Sequence, residues 1–208
     1  MSDKKYMALT FDDGPSDHTS RKVLDVLKKY NVIGSFFLIG ENITGREDIV
    51  REEMGYGCDI ENHSLTHPFM TKLTADEIDA EIKETTRRIV DITGKEPDFF
   101  RPPYIDVNDL MHEIVPYIFI SGYGCLDWEP EVGADERLKG ILDGARDGAV
   151  VLLHDSEGND ATVEALDRAI PELLQRGYEF VTISELFKKA GINRENAKKG
   201  TVYSYTDD

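Results

Sequence analysis

The chain has 208 residues, 40% of them apolar and 31% charged, which suits one soluble domain large enough to bury its own core. A formal net charge of −17, from 41 acidic against 24 basic residues, repels phosphate backbones and argues against nucleic acid, leaving a neutral substrate or a cation in an acidic cleft. No apolar run of about 18 residues is present, so no membrane span is expected, and the start Met-Ser-Asp-Lys-Lys lacks the apolar stretch of a signal peptide.

Strand-like and helix-like segments alternate along the chain. Tyr6–Phe11 reads as a strand that delivers two adjacent carboxylates, Asp12 and Asp13, before Gly14-Pro15 turns the chain. Thr19–Tyr30 reads as a helix, with Val23, Leu24, Val26, Leu27 and Tyr30 on its apolar face. Ser35–Ile39 is a buried strand closed by Gly40, Arg46–Met54 a helix, and Cys58–Asn62 a short strand. Thr74 with Glu77 forms a capping box, and the helix that follows repeats Ile78, Ile82, Ile89 and Ile92 as far as Gly94.

Phe99–Arg101 is a strand broken by Pro102-Pro103, Val107–Val115 a helix, Tyr117–Ser121 a strand, and Leu126–Trp128 a short strand end. Asp135–Arg146 is a helix, and Ala149–Leu153 is wholly apolar, as in a parallel sheet covered on both faces. Ala161–Gln175 is a helix despite Pro171, Tyr178–Ile183 the last strand, and Ser184 the cap of a final helix to Ala190. The polar tail from Asn193 is expected to pack loosely, leaving an ordered core of about residues 5–192 in a single domain that spans 1–208.

This order predicts an α/β fold with a parallel sheet, and both an open doubly wound sheet and a closed barrel accommodate it. No Gly-x-Gly-x-x-Gly follows the first strand, which argues against a dinucleotide fold. The chemically interesting residues stand just after strands, where a barrel keeps its working end, so a barrel is favoured.

His63 and His67 follow the third strand, and two imidazoles four residues apart on one face of a helical turn can grip a metal ion. Asp12 or Asp13 would complete a set of two histidines and a carboxylate; the spacing leaves open which. Zinc is the first expectation, with cobalt, nickel or iron as alternatives, because nitrogen and oxygen ligands discriminate poorly among them. The other aspartate is then free to act as general base. Arg101 can pair with that base, and the rigid Arg-Pro-Pro-Tyr104 segment can aim an amide at a developing oxyanion. His154 emerges from an apolar strand as a general-acid candidate. Asp127 can orient it, and Trp128 with Leu152 can wall a small apolar pocket. His18 and His112 are expected at the surface, and Tyr56, Tyr117, Phe119, Phe36 and Phe37 in packing roles. Glu77–Arg88 reads as a solvated helix face, and Cys58 and Cys125 as buried thiols without a disulfide.

Five segments between Thr10 and Asp155 carry a resemblance: Thr-Phe-Asp-Asp-Gly-Pro, His-Ser-Leu-Thr-His, Arg-Pro-Pro-Tyr, Asp-Trp and Leu-Leu-His-Asp. In that order they resemble the polysaccharide deacetylases of carbohydrate esterase family 4, the NodB-homology domain. The resemblance implies a distorted (β/α) barrel of about seven parallel strands and metal-dependent removal of acetyl groups from a carbohydrate. It assigns Asp12 as base, Asp13, His63 and His67 as metal ligands, Arg101 as the partner of Asp12, and the Tyr104 amide as an oxyanion donor. His154 becomes the acid tuned by Asp127, and Trp128 and Leu152 hold the acetyl methyl, with Tyr104 beside them.

Two positions depart from the pattern. Ile105 stands where many members have glycine, and Gly124 where many carry an aspartate; both alter the cleft rim and so bear on substrate choice. Gly140 through Phe187 looks most like clostridial-type acetyl xylan esterases, which are often modules of larger secreted enzymes. An acetyl xylan esterase is therefore expected, with N-deacetylation of GlcNAc in peptidoglycan or chitin as the alternative and a non-catalytic carbohydrate-binding domain as the third reading. A monomer without membrane partners is expected, alone or as a module of a multidomain enzyme, secreted with its parent protein unless the parent is cytoplasmic.

Overall fold

In the computed structural model, which describes residues 4–208, strand β1 (Lys5–Asp12) leads into helix α1 (Thr19–Tyr30), which buries Val23, Leu24, Val26 and Leu27 as the spacing predicts. β2 (Ser35–Leu38) runs into a single helical turn, α2 (Gly40–Ile43), which no sequence signal announces. α3 (Glu47–Tyr56) and β3 (Asp59–Asn62) follow. α4 (Ala75–Thr93) starts at the predicted capping box, where the Glu77 carboxylate takes the Thr74 N–H at 2.8 Å, and it ends at Gly94 with φ of 71°. Then come β4 (Phe99–Phe100), α5 (Asp109–Ile114), β5 (Ile118–Ile120), β6 (Tyr123–Gly124) and α6 (Ala134–Asp143). β7 (Ala149–His154), α7 (Asp160–Gln175), β8 (Tyr178–Phe180), α8 (Ile183–Lys189) and β9 (Val202–Tyr203) complete the order. α7 tolerates Pro171 because the carbonyl that loses its helical donor, that of Asp167, accepts the Tyr30 hydroxyl at 2.8 Å.

The strands form one sheet in the order β6-β7-β1-β2-β3-β4-β5-β9, with β8 beside the first half of β1. β1 pairs with β7 along Met7–Asp12, while its other edge is shared between β8 (Lys5–Met7) and β2 (Thr10–Asp12), all parallel. The C-terminal tail then spans the gap between β5 and β7. The Ser121 N–H donates to the Tyr203 carbonyl at 2.7 Å, the Val150 N–H to that of Ser204 at 3.0 Å, and Tyr205 bridges Ala149. The result is the distorted barrel the sequence predicts, with β9 as a short addition to the expected strands.

Three local expectations need correction. The tail does not pack loosely: Tyr203 is 2% exposed, because the open edge of β5 gives its backbone a partner. The strand expected at Leu126–Trp128 lies at Tyr123–Gly124 instead, since Leu126 has φ of 58° and turns the chain away. Thr182, not Ser184, caps α8, accepting the Glu185 N–H at 3.3 Å.

Alternation along β1 sorts the interior into layers. Met7, Leu9 and Phe11 face the helices, packed in one core with Leu24, Leu27, Leu166 and Ile170. Ala8 faces the barrel interior, in a second core with Phe37, Val150, Ile118 and, from α8, Phe187. Thr10 and Asp12 continue the inward row toward the C-terminal ends of the strands, so the barrel is apolar below and polar above. Cys58 and Cys125 are both buried and unpaired, as expected.

Candidate active site

The inward row places Asp12 in register with Phe37 of β2 and His154 of β7. Arg101, just past β4, is fully buried rather than a surface arginine. Its Nη1 donates to Asp12 Oδ1 at 2.5 Å and its Nη2 to Thr10 Oγ1 at 2.8 Å, while the guanidinium lies 4.3 Å over the Phe37 ring. Thr10 passes its own proton to the Val151 carbonyl at 2.5 Å. The ion pair thus rests on the apolar layer, with Asp12 Oδ2 on the cleft side, 3.7 Å from His63 Nε2.

Asp13, His63 and His67 converge so that one ligand atom from each lies within 4.8 Å of the others. Asp13 Oδ1 sits 3.5 Å from both Nε2 atoms and is buried without a hydrogen-bond donor. His63 donates Nδ1–H to the Arg101 carbonyl at 2.6 Å, which fixes its tautomer and frees Nε2 for a cation. Burial would raise the Asp13 carboxyl, but the neighbouring His63, with His154 and His67 behind it, holds it down to about 2. Burial and the charge of His63 push His67 below the usual imidazole value. An ionised carboxylate, two imidazole Nε2 atoms turned toward it and an orphaned oxygen between them fit a divalent ion.

The histidines do not meet on a helical turn, as their spacing predicts. Ser64 and His67 both adopt left-handed backbone, with φ of 65° and 58°, in a loop that folds the rings to a centroid distance of 4.8 Å. Glu81 holds that loop, taking the N–H groups of Leu65 and Thr66, each at 2.8 Å. Glu81 therefore serves the site from a helix face that reads as merely solvated.

Across the cleft, His154 Nδ1–H donates to Asp127 Oδ1 at 2.8 Å, and Asp127 Oδ2 accepts the His154 backbone N–H at 2.8 Å. Burial lowers the imidazole, but the Asp127 hydrogen bond and charge, with Asp12 and Asp13 adding to them, outweigh it and raise His154 to about 9. Trp128 is half exposed and meets His154 edge to face at 5.6 Å, and Leu152 lies on the same side of β7, one step below. Tyr104 has φ of 58°, its ring stacks on Phe69, and no described group accepts its N–H. Ile105 has φ of 53°, a conformation that suits glycine and strains a β-branched residue. Gly124 lies beside the indole: a Cβ there would meet Trp128 Cζ3 at 3.4 Å.

His18 is exposed and pairs with Glu157, and His112 is half-buried against Phe119, so neither joins the site.

The polysaccharide deacetylase sequence profile matches residues 1–117, more than half of the chain. The chain belongs to the polysaccharide deacetylase family. It is 46% identical over 191 residues to a bifunctional xylanase/deacetylase of Pseudobutyrivibrio xylanivorans, a match that covers 91% of this chain but only 32% of that protein. The Xyl-CE4 domain of a multidomain xylanase from the hindgut metagenome of Trinervitermes trinervoides superposes with a TM-score of 0.95 at 41% identity, over 99% of both chains. A family 4 acetyl xylan esterase from Clostridium thermocellum, solved with a cobalt ion, superposes with a TM-score of 0.91 at 37% identity, over 97% of this chain and 98% of that one. Members of this carbohydrate esterase family are hydrolases that use a divalent metal.

Proposed function

We propose that this polysaccharide deacetylase is a metal-dependent acetyl xylan esterase that removes O-acetyl groups from xylose units. The observation that carries the chemistry is that two carboxylate-linked groups, Asp12–Arg101 and His154–Asp127, meet as register partners at the strand ends that also carry the Asp13/His63/His67 cluster. The similarity to a xylanase/deacetylase and to an acetyl xylan esterase supports the substrate.

Asp13, His63 and His67 would hold the ion, which supplies Lewis acidity toward water and a carbonyl. Zinc is the ion we favour, with cobalt, nickel or iron as substitutes. Arg101 holds Asp12 by its Oδ1 and leaves Oδ2 aimed at the cleft, where Asp12 takes the proton of the attacking water. The Tyr104 N–H donates to the oxyanion that forms as the water oxygen bonds to the acetyl carbon. Trp128 and Leu152 enclose the methyl group. His154, protonated and held through Nδ1 by Asp127, gives its Nε2 proton to the sugar oxygen as the C–O bond breaks. Acetate and a free hydroxyl leave.

We infer that the chain works outside the cell as a module of a plant-wall-degrading enzyme, because a polymeric substrate does not cross a membrane. Acetate release from acetylated xylan and from a chitin oligosaccharide, measured side by side on metal-loaded protein, tests the reading. Release mainly from xylan is expected. Release mainly from the chitin oligosaccharide would make the protein an N-deacetylase, and silence on both with metal bound would leave a carbohydrate-binding domain.

A further inference from the structure

The contacts of the acid do not end at Asp127. Thr162, in the first turn of α7, is fully buried, and its hydroxyl lies 2.9 Å from Asp127 Oδ2 and 2.8 Å from Arg137 Nη1. A guanidinium has no acceptor and an ionised carboxylate no donor. The hydroxyl proton therefore points to Asp127, and the oxygen accepts from Arg137. Asp127 now takes three hydrogen bonds, from the His154 ring, the His154 backbone and Thr162.

Arg137, on α6, is 3% exposed. Its Nε donates to the Val132 carbonyl at 2.8 Å, its Nη2 to the Glu129 carbonyl at 3.2 Å, and its Nη1 also to Asn159 Oδ1. Asn159 in turn donates to the His154 carbonyl at 3.0 Å. One guanidinium thus grips the loop that follows Trp128, the start of α7 and, through one hydroxyl, the carboxylate behind the acid. No carboxylate among the described residues bonds Arg137 directly, so its charge reaches Asp127 through Thr162.

We propose that Arg137 is a positioning residue for the general acid. Acting through Thr162, it locks the Asp127 carboxylate that holds His154 in its Nδ1–H form, and with the same group it fixes the loop that carries Trp128. The catalytic half of this inference rests on the role given to His154 above; the hydrogen-bond half does not.

Thr162→Val keeps the shape and removes the hydroxyl, and Thr162→Ser restores it. Arg137→Gln removes the charge, and Thr162→Val remains informative if that protein fails to fold. Imidazole NMR of the full chain reads the lock directly. Exchange of the His154 Nδ1 proton with water accelerates about ten-fold in Thr162→Val and returns to the wild-type rate in Thr162→Ser. Acetate release reads the consequence. A sugar ester needs a protonated leaving oxygen and an activated aryl acetate does not, so Thr162→Val lowers kcat on the sugar ester about ten-fold, with a clearly smaller loss on the aryl ester and little change in KM. Arg137→Gln adds a rise in KM, because the Trp128 loop is released. Unchanged exchange, or equal losses on both esters, would overturn the proposal. If the wild-type protein releases acetate from neither ester, the deacetylase reading falls, and the exchange rate alone upholds or overturns the Arg137–Thr162–Asp127 tie.

Discussion

Arg101 and Asp12 form an ion pair sealed from water, 2.5 Å apart, with side-chain exposures of 0% and 3%. Such a pair is costly to break from one side, since the survivor is left charged and desolvated. Arg101→Met is expected to lower unfolding stability by about 3–5 kcal/mol, read by urea denaturation. Asp12→Asn keeps an oxygen for Nη1 and is milder in stability, but turnover falls by about 10²–10⁴-fold. Its metal content stays at the wild-type level; loss of metal would put Asp12 among the ligands.

Removing the cation separates binding from chemistry. Dialysis against a chelator should abolish acetate release, and zinc or cobalt should restore it. His67→Gln should weaken metal affinity by more than the about 10–100-fold typical of changes to a ligand's supporting residues. Titration calorimetry checks this, and an unchanged affinity would remove His67 from the site.

Asp127 raises His154 to about 9 from an ordinary 6.5. The folded protein therefore holds that proton more tightly than the unfolded chain. The stabilising contribution is complete below 6.5 and is lost as pH climbs through about 9. An acid with this pKa predicts that kcat holds through neutral pH and declines as pH climbs through about 9. Asp127→Asn should move the decline to lower pH. A pH–rate profile whose alkaline limb ignores that substitution would identify a different group.

The half-exposed Trp128 and the buried Leu152 are the side chains proposed above to enclose the methyl. Acetyl esters should outpace butyryl esters by about ten-fold or more, and Trp128→Ala should narrow the ratio. Comparable wild-type rates on both would remove the pocket as the source of selectivity.

Tyr203 is 2% exposed, and its hydroxyl accepts the Lys198 N–H at 2.8 Å. Tyr203→Ala should cost about 3–5 kcal/mol. A melting temperature close to that of the wild type would mean that the tail contributes little to barrel closure.

Much of this was legible in the chain because it is local. The apolar spacing of Thr19–Tyr30, the Thr74/Glu77 box and the carboxylate and histidine motifs all act within a few residues. What escaped depends on distant partners. A lone arginine before two prolines gives no hint that it will lie over Phe37. The His63–His67 loop needs left-handed residues that partners elsewhere in the chain, the Glu81 carboxylate among them, make worthwhile. Glu81, Thr162 and Arg137 lie on helices whose periodicity labels a face but not a task. The tail carries too few apolar residues to read as a strand, and it becomes one only because β5 presents an edge.

Asp12 and His154 are register partners on adjacent strands, yet most of the chain separates them. A ribosome delivers Asp12, Asp13, His63 and His67 early, and His154 only at the end of β7. A nascent chain short of β7 carries the Asp13/His63/His67 cluster but not His154, and β1 lacks the neighbour along its longest edge. Closure waits longer still, for Tyr203 to Tyr205. Such distant pairings fold slowly, so the half-made barrel with its bare strand edge is the stage at which a chaperone, or another copy of the chain, has its opportunity.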